Sequence, residues 1–196
     1  NSVIAFLRSR GVTHILFGCN AASTAIPFLS RGETKLAGVI EAAIRVTVRM
    51  HPNRLAIIGG RRTVLSGVYR RAFAERSIAV RQRIAQPLSG LIENGDTHSS
   101  RLREECRKIL LPIRTCSHVL LACTHYPAIL SELRHFVSTG TTIIDPSDEI
   151  VNQIAHWRLP AGGKQTFLSS GDTEKMKHAA FNAFGVRLAK ITRVDI

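Results

Sequence analysis

Short apolar runs bounded by turn residues alternate along the chain with stretches whose apolar residues recur at helical spacing. The runs at 12–18, 36–40, 55–59, 118–122, 141–145 and 166–168 predict strands, and helices are expected to fill the gaps between them. Such alternation predicts an α/β fold with mostly parallel sheet covered by crossover helices. Residues 127–137 illustrate one such helix: Pro127 stands at a first helical position, and Ile129, Leu130, Leu133, Phe136 and Val137 fall on one face that should pack on a sheet. Residues 101–111 predict another, in which Glu104, Glu105, Arg107 and Lys108 pair along the outer side and Cys106 is a structural thiol. Asn94-Gly95-Asp96 and Ala161-Gly162-Gly163 read as turns.

Composition narrows the class. A chain of 196 residues with 44% hydrophobic content can build one ordinary core or two small ones, which excludes disorder as the main state. Apolar stretches such as HILFG, LAIIGG and HVLLAC are five or six residues long, against the ~20 of a spanning helix, so no membrane segment is predicted. The start, NSVIAFLRSRG, lacks a small-residue cleavage site and does not read as a secretory signal, so the expected compartment is the cytoplasm. Cys19, Cys106, Cys116 and Cys123 form no C-x-x-C pair, which predicts free thiols, with neither a disulfide framework nor a metal site. The 27 Lys and Arg exceed the 14 Asp and Glu by 13, a balance that attracts anionic substrates and raises nucleic acid as a partner. The excess is spread out, with 16 basic and 7 acidic residues in 39–143 and 11 and 7 elsewhere, and it never forms a block of five like charges. A solvated basic surface is the plainer reading.

An internal echo is more informative. His14-Ile15-Leu16-Phe17-Gly18-Cys19-Asn20 returns 104 residues later as His118-Val119-Leu120-Leu121-Ala122-Cys123-Thr124. Each copy predicts a buried strand that delivers a cysteine at its C-terminal end, then small or hydroxyl residues, then a helix. Ligands of open α/β sheets bind beyond the carboxyl ends of the strands, so two thiols are expected to face a ligand site. His14 and His118 open the two strands and should make satisfied contacts there.

A thiol at a strand-to-helix junction lies near helix N-terminal amides, which should favour the thiolate and lower its pKa from ~8.5. Two such thiols facing across a cleft can remove a proton from a substrate carbon on one side and donate one on the other, inverting a stereocentre. That chemistry calls for no cofactor and no metal. Gly59-Gly60-Arg61-Arg62-Thr63 comes nearest to a phosphate loop but lacks the G-x-x-x-x-G-K pattern. A lone cysteine ending a buried strand is ordinarily a small core residue, as Cys116 should be; it is the repeat that singles out Cys19 and Cys123.

GCNAAST around Cys19 and LLACTHYP around Cys123 resemble the paired cysteine motifs of the aspartate/glutamate racemase superfamily, and within it the glutamate racemases. LAGVIEAA, LAIIGGRRTVLSGVY, PLSGLIENGD, TTIIDPSDEIV and FLSSGDTEKM follow in the family's order, so the resemblance spans essentially the whole chain. It implies two pseudo-symmetric α/β domains, 1–38 with 144–196 and 39–143, with the active site in the cleft between them. It implies Cys19 and Cys123 as the opposed acid and base, with Asn20, Ala21, Thr63, Thr124 and His125 at the substrate and Glu93 and His125 assisting. The substrate so implied is a small acidic amino acid, with D-glutamate supplied for peptidoglycan.

Two departures accompany the resemblance. Ala21 stands where the family usually has Thr, which removes a substrate contact. The family also begins with a strand carrying an Asp-Ser pair and a Pro-Tyr-Gly loop; this sequence starts after them, without Met, as a fragment would. Three functions are therefore carried forward: a glutamate racemase, an aspartate racemase, and a noncatalytic homologue that binds a partner such as nucleic acid. A homodimer is left open as the assembly.

Overall fold

The computed structural model describes residues 2–30, 32–160 and 162–196. The elements run α1 (Ser2–Ser9), β1 (His14–Phe17), α2 (Asn20–Ser23), a 3-10 turn (Ile26–Phe28), β2 (Lys35–Gly38), α3 (Val39–Arg49), β3 (Leu55–Gly59), α4 (Arg61–Leu65) and α5 (Val68–Ala74). There follow β4 (Val80–Ile84), α6 (Gln86–Glu93), α7 (Ser100–Leu110), a 3-10 turn (Leu111–Ile113), β5 (His118–Ala122), a 3-10 turn (Tyr126–Ile129) and α8 (Leu130–Arg134). The chain closes with β6 (Thr142–Ile144), α9 (Ser147–Ala155), β7 (Phe167–Ser169), α10 (Thr173–Phe184) and β8 (Ile191–Arg193).

Among the described residues every strand pair is parallel, in line with the α/β reading. The central sheet has the order β4-β3-β5-β6, and β1-β2 and β7-β8 form two-stranded sheets. β3 is buried along its whole length because helices cover both faces, and a strand in that position reads as an unbroken apolar run. Its residues alternate between the faces. Ala56 and Ile58, with Val119 and Leu121 of β5, pack against Leu88 and Ile92 of α6, Leu102 and Cys106 of α7, and Leu133 of α8. Leu55 and Ile57, with Leu120 and Ala122, pack against Ile40 and Ala43 of α3 and Tyr69 and Phe73 of α5. Cys116 belongs to the first of these clusters, as a core thiol. By contrast α9 and α10 contain no fully buried residue. Glu149 secures α9 by pairing with Arg45 at 3.1 Å and with Arg49.

Several boundaries differ from the expectations for physical reasons. β4 occupies part of a gap expected to be helical: Val-Arg-Gln-Arg-Ile is an edge strand whose Arg81 and Arg83 face solvent, a device that blunts edge pairing and masks the apolar signature. β8 was likewise not expected. Val39 and Ile40 do not extend β2; extended Gly38 caps α3 and they open that helix. A side chain at Gly38 would meet Ile26 Cδ1 at 2.6 Å and Ser23 Oγ at 2.8 Å, so the strand-to-helix corner needs glycine there. The helix expected at 127–137 divides into the 3-10 turn and α8, although Ile129 and Leu133 are buried as its pattern indicated. α7 starts at Ser100, with Ser99 Oγ accepting from the Leu102 amide at 3.1 Å. Glu104 to Arg107 and Glu105 to Lys108 pair along its outer side at 2.8 and 2.9 Å. Gly95 turns the chain with a φ of +82°; of the other turn, Ala161 lies outside the described residues, and Gly162 and Gly163 take positive φ. Among the described residues no helix is long and apolar enough to cross a membrane.

Candidate active site

The echo in sequence is matched in space by two strands that each lead to a cysteine, although β1 is buried only at Ile15 whereas β5 is buried at four of its five residues, and a 3-10 turn stands where a helix was expected after Cys123. β1 leads into Cys19, whose extended backbone (φ −128°, ψ 129°) caps α2, and β5 leads into Cys123 ahead of the 3-10 turn at Tyr126–Ile129. Cys19 is exposed and Cys123 half-buried, and both line one cavity of about 190 Å3. Asn20, Ala21, Thr63, Glu93, Thr124 and His125 line the same cavity, so every residue singled out from the motifs converges there.

Local packing explains how each arrives. Ser23 Oγ reaches the carbonyls of Cys19 and Phe17 at 2.8 and 3.2 Å and receives the Val39 amide at 3.3 Å, tying the Cys19 turn to the start of α3. The Tyr69 hydroxyl donates to Asn20 Oδ1 at 2.6 Å, both groups being buried. Thr63, on α4, is 1% exposed. Ala21 presents only a methyl group where a hydroxyl would offer a hydrogen bond.

Two polar residues at the cavity were not anticipated. Gln86 and Ser89 share a face of α6 with Glu93, at i, i+3 and i+7, while Leu88 and Ile92 turn into the core. Helical spacing counted back from Glu93 was the available signal. The Ser89 hydroxyl lies 3.7 Å from the Cys123 sulfur, and Gln86 Oε1 accepts the Arg61 amide at 3.1 Å.

A chain of polar contacts leads outward from Cys123. His125 Nδ1 lies 3.5 Å from the sulfur, and its Nε2 lies 3.1 Å from Glu93 Oε1. Electrostatics at this thiol run against the expectation from its place at a strand end. Burial pushes the Cys123 pKa up, and the nearby Cys19 adds to the rise; the His125 amide and the Ser89 and Tyr126 hydroxyls oppose it without prevailing. The buried strand end withholds more solvation than the short turn returns. Outside the cavity, Cys106 is pushed up to about 12 by burial, which suits a structural thiol. His118 makes its expected local contact, Nδ1 to Ser117 Oγ at 3.0 Å, and burial lowers its pKa. His14 is only half-satisfied: Nδ1 meets Thr13 Oγ1 at 2.9 Å, while its buried Nε2 has no hydrogen-bond partner among the described residues. Among those residues, no three His, Cys, Asp or Glu side chains gather as metal ligands would.

Comparison with known proteins follows the same lines. The sequence profile described as Asp/Glu/hydantoin racemase matches residues 2–154. A glutamate racemase of Desulforudis audaxviator is 29% identical over 152 residues, covering 74% of this chain and 56% of that protein. The chain thus spans little more than half the length of the curated relatives it first matches. In three dimensions it is similar to a glutamate racemase isoform from Bacillus anthracis, with a TM-score of 0.86 at 22% identity over 99% of this chain and 78% of that one. It is also similar to the Francisella tularensis glutamate racemase solved with D-glutamate, with a TM-score of 0.83 at 18% identity over 97% and 76%. These structural likenesses establish the fold, and the profile match over most of the sequence establishes the lineage: the chain belongs to the Asp/Glu/hydantoin racemase family.

Proposed function

We propose that this chain carries the two-thiol centre of a cofactor-independent racemase that interconverts L- and D-glutamate. The observation that supports this reading is that both cysteines of the repeated motif, one following β1 and the other following β5, line a single cavity. In this reading the cavity is the cleft between a first domain, 1–38 with 144–196, and a second, 39–143.

One thiolate removes the α-proton of the bound amino acid, and the thiol on the opposite face donates its own proton to the planar carbanion. The product is the other enantiomer, and the two sulfurs have exchanged protonation states. No electrons leave the system. A Cys123 thiol whose pKa is raised is well suited to hold its proton until the carbanion forms, and as thiolate it is the stronger base. His125 takes up or returns the Cys123 proton, and Glu93 orients the imidazole through its contact with Nε2. Asn20, Thr63 and Thr124 hold the amino-acid polar groups, with Ala21 as an apolar neighbour. D-Glutamate made in this way would feed peptidoglycan synthesis.

The test is incubation of the reduced protein, without cofactor, with L-glutamate and separately L-aspartate in deuterated water, following chirality and α-deuterium together. Inversion of glutamate with deuterium incorporation, lost in both Cys19→Ser and Cys123→Ser, is expected. Retention of inversion in either variant, or absence of α-exchange with glutamate, would overturn the reading, and exchange with aspartate alone would reassign the substrate.

A further inference from the structure

Ser89 takes no part in the proton transfer between the two sulfurs, yet it is a buried polar residue whose hydroxyl faces one of them. A serine inside a helix can turn its hydroxyl back to the carbonyl four residues earlier. For Ser89 that carbonyl belongs to Ala85, and both of its lone pairs are occupied: the Leu88 amide donates to it at 3.1 Å and the Tyr126 hydroxyl at 2.9 Å. Tyr126 is fully buried, so no solvent competes for its single proton. The acceptor left in front of the Ser89 hydroxyl is the Cys123 sulfur at 3.7 Å.

The other neighbours of that sulfur give the serine its importance. Among the described residues no Lys or Arg lines the cavity, and the ionisable groups there are Cys19, Cys123, His125 and Glu93. Cys19 disfavours a negative charge on Cys123. Glu93 accepts from His125 Nε2 at 3.1 Å, which places the proton of the neutral ring on Nε2 and leaves Nδ1, 3.5 Å from the sulfur, as an acceptor. A neutral His125 ring therefore receives a proton from the thiol and offers none to the thiolate. Hydrogen bonds made to a charged form are what favour that form, so the thiolate depends on donors. The His125 amide is one, fixed by the backbone, and the Ser89 hydroxyl is another. Rotation about its C–O bond lets Ser89 accept from the thiol or donate to the thiolate without moving a heavy atom.

We propose that Ser89 is the positioning residue for Cys123 as a base: its hydroxyl donates to the thiolate from the α6 side, and Tyr126, by filling the Ala85 carbonyl, keeps that hydroxyl turned toward the sulfur. The inference deepens the two-thiol reading and rests on it for turnover, whereas ionisation of Cys123 can be read without substrate.

The pH dependence of Cys123 alkylation by iodoacetamide, read by peptide mapping, tests it on the unmodified protein and on Ser89→Ala, Ser89→Thr, Tyr126→Phe and Ser89→Ala/Tyr126→Phe, each checked for cooperative thermal unfolding. Ser89→Ala should raise the Cys123 midpoint by about one pH unit, a tenfold loss of thiolate below it. Ser89→Thr keeps a hydroxyl and should restore the parent midpoint. Tyr126→Phe frees the Ala85 carbonyl and should raise the midpoint in the same way, and adding it to Ser89→Ala should bring no further rise, because the two residues act as one unit. With glutamate as substrate, the limb of the kcat profile set by Cys123 should move with the midpoint. An unmoved midpoint in folded Ser89→Ala would overturn the proposal even in a chain that racemises glutamate. Equal rises in Ser89→Thr and Ser89→Ala, or additive rises in the double variant, would do so too, since a packing defect would then be at work. The expected midpoints in a chain that does not racemise glutamate would support the role of Ser89 while removing the racemase reading.

Discussion

The Tyr69 hydroxyl and the Asn20 amide oxygen meet at 2.6 Å in a buried hydrogen bond, joining α5 to the residue that follows Cys19. Tyr69→Phe removes the donor and strands the acceptor in a dry place. The expected loss is about 1–3 kcal/mol, which for a chain of this size lowers Tm by about 2–4 °C per kcal/mol. Calorimetry measures it. A variant as stable as the parent would show that the bond adds nothing net.

Gly38 closes the corner between β2 and α3 against Ile26 and Ser23. Gly38→Ala should therefore cost about 1–3 kcal/mol by overpacking. It should also disturb Ser23, whose hydroxyl ties down the Cys19 turn, so the rate at which Cys19 is alkylated should change along with Tm.

The four thiols should be distinguishable by alkylation of the folded protein. Cys19 is exposed and should react first. Cys123 should lag, with a pH midpoint above the ~8.5 of a free cysteine, because burial raises its pKa. Cys106 and Cys116 are buried and should react only after unfolding. Peptide mapping across a pH series reads all four, and a Cys123 midpoint below the ordinary value would contradict the electrostatic picture.

Glu132 carries an acid-sensitive contribution to stability. Arg103 at 2.9 Å and His98 at 3.2 Å hold its carboxyl down to about 2, below the ~4.3 of an unfolded glutamate. A depressed folded pKa means that the stabilisation is fully present above the unfolded value and is lost as pH falls from ~4.3 toward about 2. Glu132→Gln should flatten the denaturation profile in that window. Arg103→Gln should destabilise at neutral pH, where it leaves the charge with one fewer partner, and less so as the carboxyl protonates.

Glu93→Gln separates orientation from folding. The Glu93 side chain is half-exposed, so stability should change by less than about 1 kcal/mol. Turnover should fall by about tenfold or more, the scale of losing part of a general acid–base relay. The effect should lie in kcat rather than KM, and unchanged kcat would remove Glu93 from the proton chemistry.

The parts of this molecule that were legible in the sequence are those where one physical signal dominates. β3 and β5 are covered on both faces and read as continuous apolar runs, and the cysteine echo is legible because the run of β5 repeats that of β1. β4 is an edge strand whose arginines hide its pattern, and Val39-Ile40 are as apolar as strand residues although they open a helix. At the candidate site, Cys19, Cys123 and their motif neighbours were legible because they repeat. Gln86 and Ser89 bear no chemical signature and gain their places only through the turn of α6. The raised pKa of Cys123 depends on how much solvent the fold withholds, a balance that residue order does not express.

The two cysteines are mounted unequally. Cys123 follows β5, an interior strand with four of its five residues buried, whereas Cys19 follows β1, where Ile15 alone of four residues is buried. Local opening draws on the parts of a fold with the fewest buried apolar contacts. Amide hydrogens of β3 and β5 should exchange with solvent only through global unfolding, while those of β1 should exchange through smaller excursions. One sulfur is then a fixed jaw and the other a sprung one, and the gap that a substrate meets is set by the softer of the two mounts.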